Sequence, residues 1–526
     1  MAPASARHAL AALCLVLLLA AQCVFAAPAT ATAAEPGPRT DSSPGTDPEL
    51  TALLDEYLAA QPATSLSAAL IEDGEITAVL EHGDAQLDTP FHIASLSKSF
   101  TAATVMILVD CGLVDLDAPV TDYIADFELA DGRQDEITVR MLLSHTTGLG
   151  LKTYQENDAP APADGEELLD RLAEVELARE PGAAHEYFSS NYSLAALLVE
   201  RVTGSSFDEV LRAELFEPLG MHDSTSVTAC GDPAAGTGSG HALAFGSPLA
   251  VPEPPGLCLG TGGVVSTAGD LATWLTFIAD GGTTPDGARL IAETSVHEML
   301  SPQPATEGAA GDWYGLGWIG AELSDGTPVL SHGGALTTWS SHMTLLVDEE
   351  GRPTGTAAVV LADTASSPAQ LVGAMLAHAT GLDQPEFTRD GRPADDFVPL
   401  GLSVLALGLA LGCVLRARRW PGLHRRRGAF VGGLLWPVAL AAIGVALPVY
   451  LTAQKYGAPL SLAGAWPTML GTAPVAVLLS GSLVLAGAGV LIARSLAWAA
   501  RRRAGRSDDE EPRGEEHHDE GSRPAQ

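Results

Sequence analysis

The sequence predicts an α+β domain, an antiparallel sheet with flanking helices and an inserted helical region, followed by three transmembrane helices. Three observations carry this. Strand-like segments gather early, at 65–80, and late, at 314–361, with helical periodicities between them. That distribution suits a sheet assembled from both ends of a domain rather than an alternating parallel-sheet chain. Three apolar runs follow at 398–415, 429–451 and 470–493, each near the ~20 residues that cross a bilayer. Near the front, a largely apolar helical run opens on Ser95-Leu-Ser-Lys98, with a hydroxyl and an amine one turn apart on the same face.

Taken in order, residues 1–27 carry Arg7 and His8, an apolar run from 9 to 21, and the small residues Ala26 and Ala27. This is the order of a secretory signal peptide; Gln22 before Cys23 does not fit a lipid-attachment site. Residues 28–47 are rich in Ala, Pro, Thr and Ser and read as a flexible spacer. Residues 48–60 form an amphipathic helix, and strands 65–70 and 75–80 meet at Asp73-Gly74, a hairpin signal. After the Ser95 helix come a short helix at 138–143 and helices at 165–177, 191–202, 206–215, 270–279 and 293–300. Strands are expected at 314–321, 329–331, 339–347 and 356–361, with a closing helix at 367–380. The polar stretch 382–397 links this domain, 48–381, to the apolar segment 398–494, and 495–526 is a charged tail.

Arginines crowd the loop after the first apolar run (Arg416, Arg418, Arg419, Arg425, Arg426, Arg427) and the end of the third, whereas the loop between the second and third holds only Lys455. Positive residues mark the cytoplasmic side. The domain before residue 398 is therefore expected outside the cytoplasm of a multi-pass cell-membrane protein, in agreement with the signal peptide. No charge falls within the three runs, so they read as a plain anchor. The net charge of −37, with no basic patch outside the membrane-flanking loops, argues against a nucleic-acid partner. No cysteine spacing resembles a zinc site, and no metal or cofactor is expected. Cys230 and Cys258 bracket a Gly/Pro-rich loop and could be bridged, leaving Cys111 free.

Chemistry centres on Ser95 and Lys98. Ser95 sits where a helix starts, a place that favours developing negative charge. The chain has only three lysines among 28 basic residues, so ~0.2 chance Ser-x-x-Lys matches are expected at ordinary Ser usage. Three further patterns bear on the same site. Tyr187, in Tyr-Phe-Ser189-Ser-Asn-Tyr192, is either an acid/base group beside the lysine or core packing. Ser331-His332-Gly333-Gly334-Ala335 is either a strand edge on which a ligand can lie, donating an N–H to an oxyanion, or a Gly-rich turn. His145, in a polar turn after an apolar helix, reads as structural.

These motifs, with Leu142-Leu-Ser-His-Thr-Thr-Gly-Leu149, Glu217-Pro-Leu-Gly-Met221, Gly262-Gly-Val-Val-Ser-Thr-Ala268 and Tyr314-Gly-Leu-Gly-Trp318, follow one another as in the class C β-lactamase-related serine hydrolases. This group, peptidase S12 or penicillin-binding-protein-like, includes D-amino peptidases, D,D-carboxypeptidases, esterases and β-lactamases. The resemblance covers 48–381 and implies a β-lactamase/transpeptidase-like fold. It also implies Ser95 as nucleophile, Lys98 as its activating partner, Tyr187 as acid/base, and substrate binding by Ser189, His332, Gly333, Gly334 and Ala335. The oxyanion would sit between the N–H groups of Ser95 and Ala335. Two departures stand out: Ser189 replaces the Asn of Tyr-x-Asn, and His332 replaces a lysine. Both count against an efficient β-lactamase.

With its membrane segment the chain resembles membrane-anchored prodrug-activating D-amino peptidases. The expectation is a membrane-anchored extracytoplasmic serine hydrolase. It would cleave an amide or ester of a small peptide, D-amino-acid or ester substrate through an acyl-enzyme. A β-lactamase- or esterase-like hydrolase and a catalytically silent penicillin-binding-type recognition module are the alternatives.

Overall fold

A computed structural model describes residues 47–308, 311–323, 325–389, 393–420, 427–456 and 459–509. The expected signal peptide, nearly all of the spacer and the tail beyond 509 lie outside the described residues.

Helix α1 (Pro48–Ala60) starts where the Asp47 side chain accepts the Glu49 N–H, with Pro48 in its first turn. Its buried residues Leu50, Leu53, Leu54 and Tyr57 have the spacing of one helical face. Strands β1 (Leu66–Glu72) and β2 (Glu75–His82) turn at Asp73-Gly74, where φ is positive at both residues (52° and 80°), as a tight hairpin needs. The other edge of β1 pairs antiparallel with β12 (Pro353–Ala362), the last strand of the domain.

Between these two lie β3 (Phe91–His92), β4 (Thr225–Ser226), the β5–β6 hairpin (His241–Ala244 and Ser247–Ala250) and β7 (Val264–Ser266). Then follow β8 (Trp313–Tyr314), β9 (Ile319–Glu322), β10 (Pro328–Ala335) and β11 (Ser340–Val347). The main sheet is seven-stranded in the order β2-β1-β12-β11-β10-β9-β8, and β3-β7-β4 make a small second sheet.

The helices between the strands are α2 (Ser97–Asp110), α3 (Val139–Leu143), α4 (Gly165–Leu172), α5 (Ser190–Thr203), α6 (Phe207–Leu211), α7 (Ala268–Ala279) and α8 (Glu293–Met299), with α9 (Pro368–Thr380) closing the domain. One face of the sheet buries Leu66, Ala68 and Val360 under α1 and α9. The other buries Ala69, Val359 and Leu361 against the helical middle, with α2 at its centre. This is the β-lactamase/transpeptidase-like α+β arrangement.

Three local expectations are corrected. The helix does not begin at Ser95: Ala94–Leu96 form a 3-10 turn and α2 starts at Ser97, without a cap bond from the Ser95 side chain. Ala94, with φ of 51°, makes the sharp entry. The helix expected over 165–177 stops at Leu172 because the following chain is claimed elsewhere, Val175 O by Ala130 N–H and Leu177 N–H by Asp131 Oδ2 (both 3.0 Å). The strand expected over 314–321 is broken into β8 and β9 at Gly315-Leu-Gly317. Gly317 has φ of 81°, and a Cβ there would stand 2.9 Å from the Lys98 carbonyl oxygen.

Helices α10 (Phe397–Arg416), α11 (Arg427–Tyr456) and α13 (Pro474–Asp509) coincide with three segments long and apolar enough to cross a membrane, Ala394–Arg419, Gly433–Tyr456 and Pro474–Arg503. The third runs past the expected limit of 493 and so takes in Arg494, whose guanidinium lies 5.2 and 5.0 Å from the Trp420 and Trp436 rings. Between α11 and α13 a separate short helix, α12 (Leu462–Thr472), was not anticipated.

Candidate active site

The 3-10 turn at Ala94–Leu96 presents Ser95 at the floor of a cleft, and α2 brings Lys98 beneath it. Lys98 is fully buried, which an amine tolerates only when its protons are taken up. Its Nζ donates to Ser95 Oγ at 3.0 Å and to the Thr261 carbonyl at 2.9 Å. It lies 4.9 Å from the centre of the Tyr187 ring. Ser95, Lys98, Ser189 and Ala335 line one cavity of about 290 Å³.

The Tyr187 segment is held from behind by His145. Glu186 N–H donates to the His145 carbonyl (2.9 Å) and Phe188 N–H to His145 Nδ1 (3.2 Å), while the two rings pack 4.3 Å apart. Accepting at Nδ1 places the His145 proton on Nε2. Burial first, and the Lys98 charge second, hold His145 well below its ordinary pKa. It is a neutral scaffold that positions Tyr187. Among the described residues the Tyr187 hydroxyl has no hydrogen-bond partner, and the residue is 38% exposed.

Ser189 precedes α5. Its N–H donates to Glu156 Oε1 (3.0 Å), and the Ser190 N–H and Oγ donate to Glu156 Oε2 (2.8 and 3.0 Å). Glu156 thus caps the first turn of α5 from a separate loop and enters the cavity wall beside Ser189. Burial raises its pKa despite these donors.

On the opposite lip, β9 pairs with β10 only as far as Ser331, while β11 pairs with it through Ala335. The second half of β10 therefore has one edge without a strand neighbour. Gly334 is pressed against the turn that carries Ser95: a Cβ would stand 2.1 Å from Ser341 Oγ and 2.3 Å from the Ile93 carbonyl oxygen. Ser341 Oγ also donates to that carbonyl at 2.7 Å.

His332 lies apart from the cavity lining, only 2% exposed. Its Nε2 is 3.1 Å from the Tyr314 hydroxyl and its Nδ1 2.8 Å from the Gly333 carbonyl. An Nδ1–H donating to the carbonyl and an Nε2 accepting from tyrosine satisfy both. Burial, helped by the Lys98 charge, pushes its pKa down to about 3. It is neutral and offers no fixed cation. Gly333 and Gly334 likewise act through the path of β10 rather than as part of the lining.

Cys230 and Cys258 are joined by a disulfide and Cys111 is a free thiol; both half-cystines border the cavity.

Several participants gave no signal in the sequence. Glu156 sits in an ordinary polar run. Thr261 acts only through its carbonyl. Glu253 accepts from the Thr337 and Thr338 N–H groups and the Thr338 hydroxyl (2.9, 2.8 and 2.6 Å), holding the loop just past Ala335.

The chain resembles known proteins over the same domain. The beta-lactamase family pattern matches residues 50–390. The chain is 32% identical over 267 residues to penicillin-binding protein 4 of Amycolatopsis lactamdurans, covering 47% of this chain and 66% of that one. It is 31% identical over 289 residues to esterase EstB of Burkholderia gladioli (47% and 71%). It is 28% identical over 302 residues to a D-aminopeptidase of Brucella anthropi (53% of each). The alignments thus span 53% to 71% of these relatives' lengths.

Proposed function

The chain belongs to the beta-lactamase family, and on that footing we propose that it is a serine hydrolase that cleaves an amide or ester through an acyl-Ser95 intermediate. The contact that carries this is Lys98 Nζ to Ser95 Oγ, 3.0 Å, at the floor of the cavity. With the amine in its uncharged form when substrate is bound, the Ser95 proton passes along this contact to the Nζ lone pair as Oγ bonds to the substrate carbonyl carbon. The N–H groups of Ser95 and Ala335 receive the oxyanion. As the tetrahedral intermediate collapses, the C–N or C–O bond breaks. The leaving group takes a proton from the Tyr187 hydroxyl, which is replenished from Lys98. Water then attacks the acyl ester, gives a proton to the same pair, and releases the acid and free Ser95.

The edge of β10 beyond Ser331 suits a substrate lying extended beside it. A D-amino-acid or peptide-like substrate is favoured by the kinship with a D-aminopeptidase, and an ester by that with EstB. Neutral His332 argues against a pocket for a carboxylate next to the scissile bond, and so against a β-lactamase. The three apolar helices support a membrane anchor, with the catalytic domain extracytoplasmic by the distribution of arginines.

Reaction with a fluorophosphonate probe, followed by intact-mass and peptide mapping, should add one adduct at Ser95. Hydrolysis of p-nitrophenyl acetate should vanish in Ser95→Ala. Labelling that persists in Ser95→Ala, or no hydrolysis at all, would favour the silent recognition module instead.

A further inference from the structure

The cavity above Ser95 is not walled by the β-lactamase-like domain alone. Lys455 and Tyr456, at the end of α11, and Thr468, in the middle of α12, belong to its lining. Helix α12 bridges the two lips of the cleft. At its start Ser461 N–H donates to Asp158 Oδ1 (2.8 Å) and Ser461 Oγ to the Ala159 carbonyl (3.0 Å), on the loop that carries Glu156.

Two glycines let it lie this close. A Cβ on Gly464 would stand 2.5 Å from Asp158 Oδ1, and one on Gly471 would stand 1.9 Å from Thr337 Cγ2, two residues past Ala335. Gly464, Thr468 and Gly471 are spaced i, i+4, i+7, which is one face of a helix. The outer glycines rest on the two lips and the threonine between them faces the cleft.

The charges of the cavity wall are unequally satisfied. Glu156 is occupied by three donors from Ser189 and Ser190, and Glu253 by three from Thr337 and Thr338. Lys98 is engaged by Ser95 and Thr261. Lys455 has no hydrogen bond or ion pair among the described residues; the Tyr456 ring lies 5.4 Å from its Nζ, and the Glu253 carboxylate acts on it only through longer-range attraction. A cation with no hydrogen-bonded or ion-paired partner, in a wall whose acids are held by other donors, can receive an anion.

Resting on the hydrolase reading above, we propose that α12 and the end of α11 form the outer wall of the substrate site, and that Lys455 binds a carboxylate carried by the substrate away from its scissile bond. The preferred substrates are then anionic at their far end, and the apolar-helix segment helps choose them as well as anchoring the enzyme. The alternative for Lys455 is a charge that merely terminates an apolar helix at the water boundary.

The test uses the full chain in detergent and two matched pairs of p-nitrophenyl esters: hexanoate against the adipate monoester, and octanoate against the suberate monoester. In Lys455→Ala the ratio of kcat/KM, carboxylate over neutral, should fall about fivefold for at least one pair, the size expected of a single part-exposed ion pair. Lys455→Arg should restore it. Thr468→Trp, which fills the wall, should lower the turnover of octanoate and suberate esters relative to acetate. Carboxylate-to-neutral ratios that move by less than twofold in Lys455→Ala, with Ser95-dependent acetate hydrolysis intact, leave Lys455 a boundary charge and overturn the inference alone. Absence of Ser95-dependent hydrolysis in the parent protein overturns both readings.

Discussion

Gly334 and Ile93 are in contact through their backbones: a Cβ added to Gly334 would stand 2.3 Å from the Ile93 carbonyl oxygen and 2.1 Å from Ser341 Oγ. The turn that carries Ser95 and the strand edge that faces it are thus set by one missing side chain. Gly334→Ala should push β10 off the turn. The expected loss in kcat/KM for p-nitrophenyl acetate is about 100-fold, because a displacement near 1 Å is enough for that. Thermal unfolding should show a loss of about 1–3 kcal/mol from overpacking. Full activity in the variant would show that the two oxyanion donors are not set by this contact.

Removing the amine separates Lys98's chemical role from its packing. Lys98→Ala should lower kcat for p-nitrophenyl acetate by about 10²- to 10⁴-fold, the usual range for a positioned acid/base group. Lys98→Arg keeps the charge but cannot exchange its proton, and should rescue nothing. Stopped-flow measurement of the p-nitrophenol burst would place the loss in acylation.

Glu156→Gln tests the cap beneath Ser189. The amide nitrogen cannot accept, so at least one donor among the Ser189 N–H, Ser190 N–H and Ser190 hydroxyl is left facing another donor. A lost cap of this kind costs about 1–2 kcal/mol, visible as a lower Tm. If Glu156 also fixes the place of Ser189, KM for an N-acyl amide substrate should rise while KM for p-nitrophenyl acetate stays constant.

Acid sensitivity should trace to histidines whose pKa burial lowers, buried His145 and His332 and half-buried His342 among them. Burial pushes His332 down to about 3 and His342 to about 4, against 6.5 in an unfolded chain. Between these values the unfolded state binds the protons and the native state does not, so stability rises with pH there and is lost as pH falls from about 6.5 toward 4. Each histidine contributes a slope of about 1.4 kcal/mol per pH unit in that window. His342→Asn, compared with the parent by thermal unfolding from pH 7 to 4.5, should flatten the fall. An unchanged slope would show that His342 is protonated in the native state.

The hairpin at Asp73-Gly74, the helix bounds at Pro48–Ala60 and the late strands were legible because each signal is local: a turn dipeptide, a cap with a proline, an alternating run. Ser95 and Lys98 were legible because the pair lies within one turn. What stayed hidden is whatever is made by contact between distant segments. Gly333 and Gly334 masked the true length of β10, since glycine carries no strand signature although its absent side chain is what the strand's position requires. Glu156 is indistinguishable from any solvated acid until α5 is placed above it. The place of His332 is marked by the glycines after it, but its neutrality follows from depth in the sheet, which no residue pattern displays. Helix α12 shows no helical signature because its interior is Gly- and Pro-containing, Leu462-Ala-Gly-Ala-Trp-Pro467.

The pairing of β1 with β12 joins residue 66 to residue 362, and this fixes the order in which the molecule can mature. Ser95 and Lys98 leave the ribosome early, yet the strand edge opposite them is not made until residue 335, nor the sheet zipped until residue 362. Closing so long a loop is slow compared with local helix formation. The growing chain is consequently latent under the proposed mechanism: it carries Ser95 and Lys98 without a formed cleft until residues 335–362 have been added.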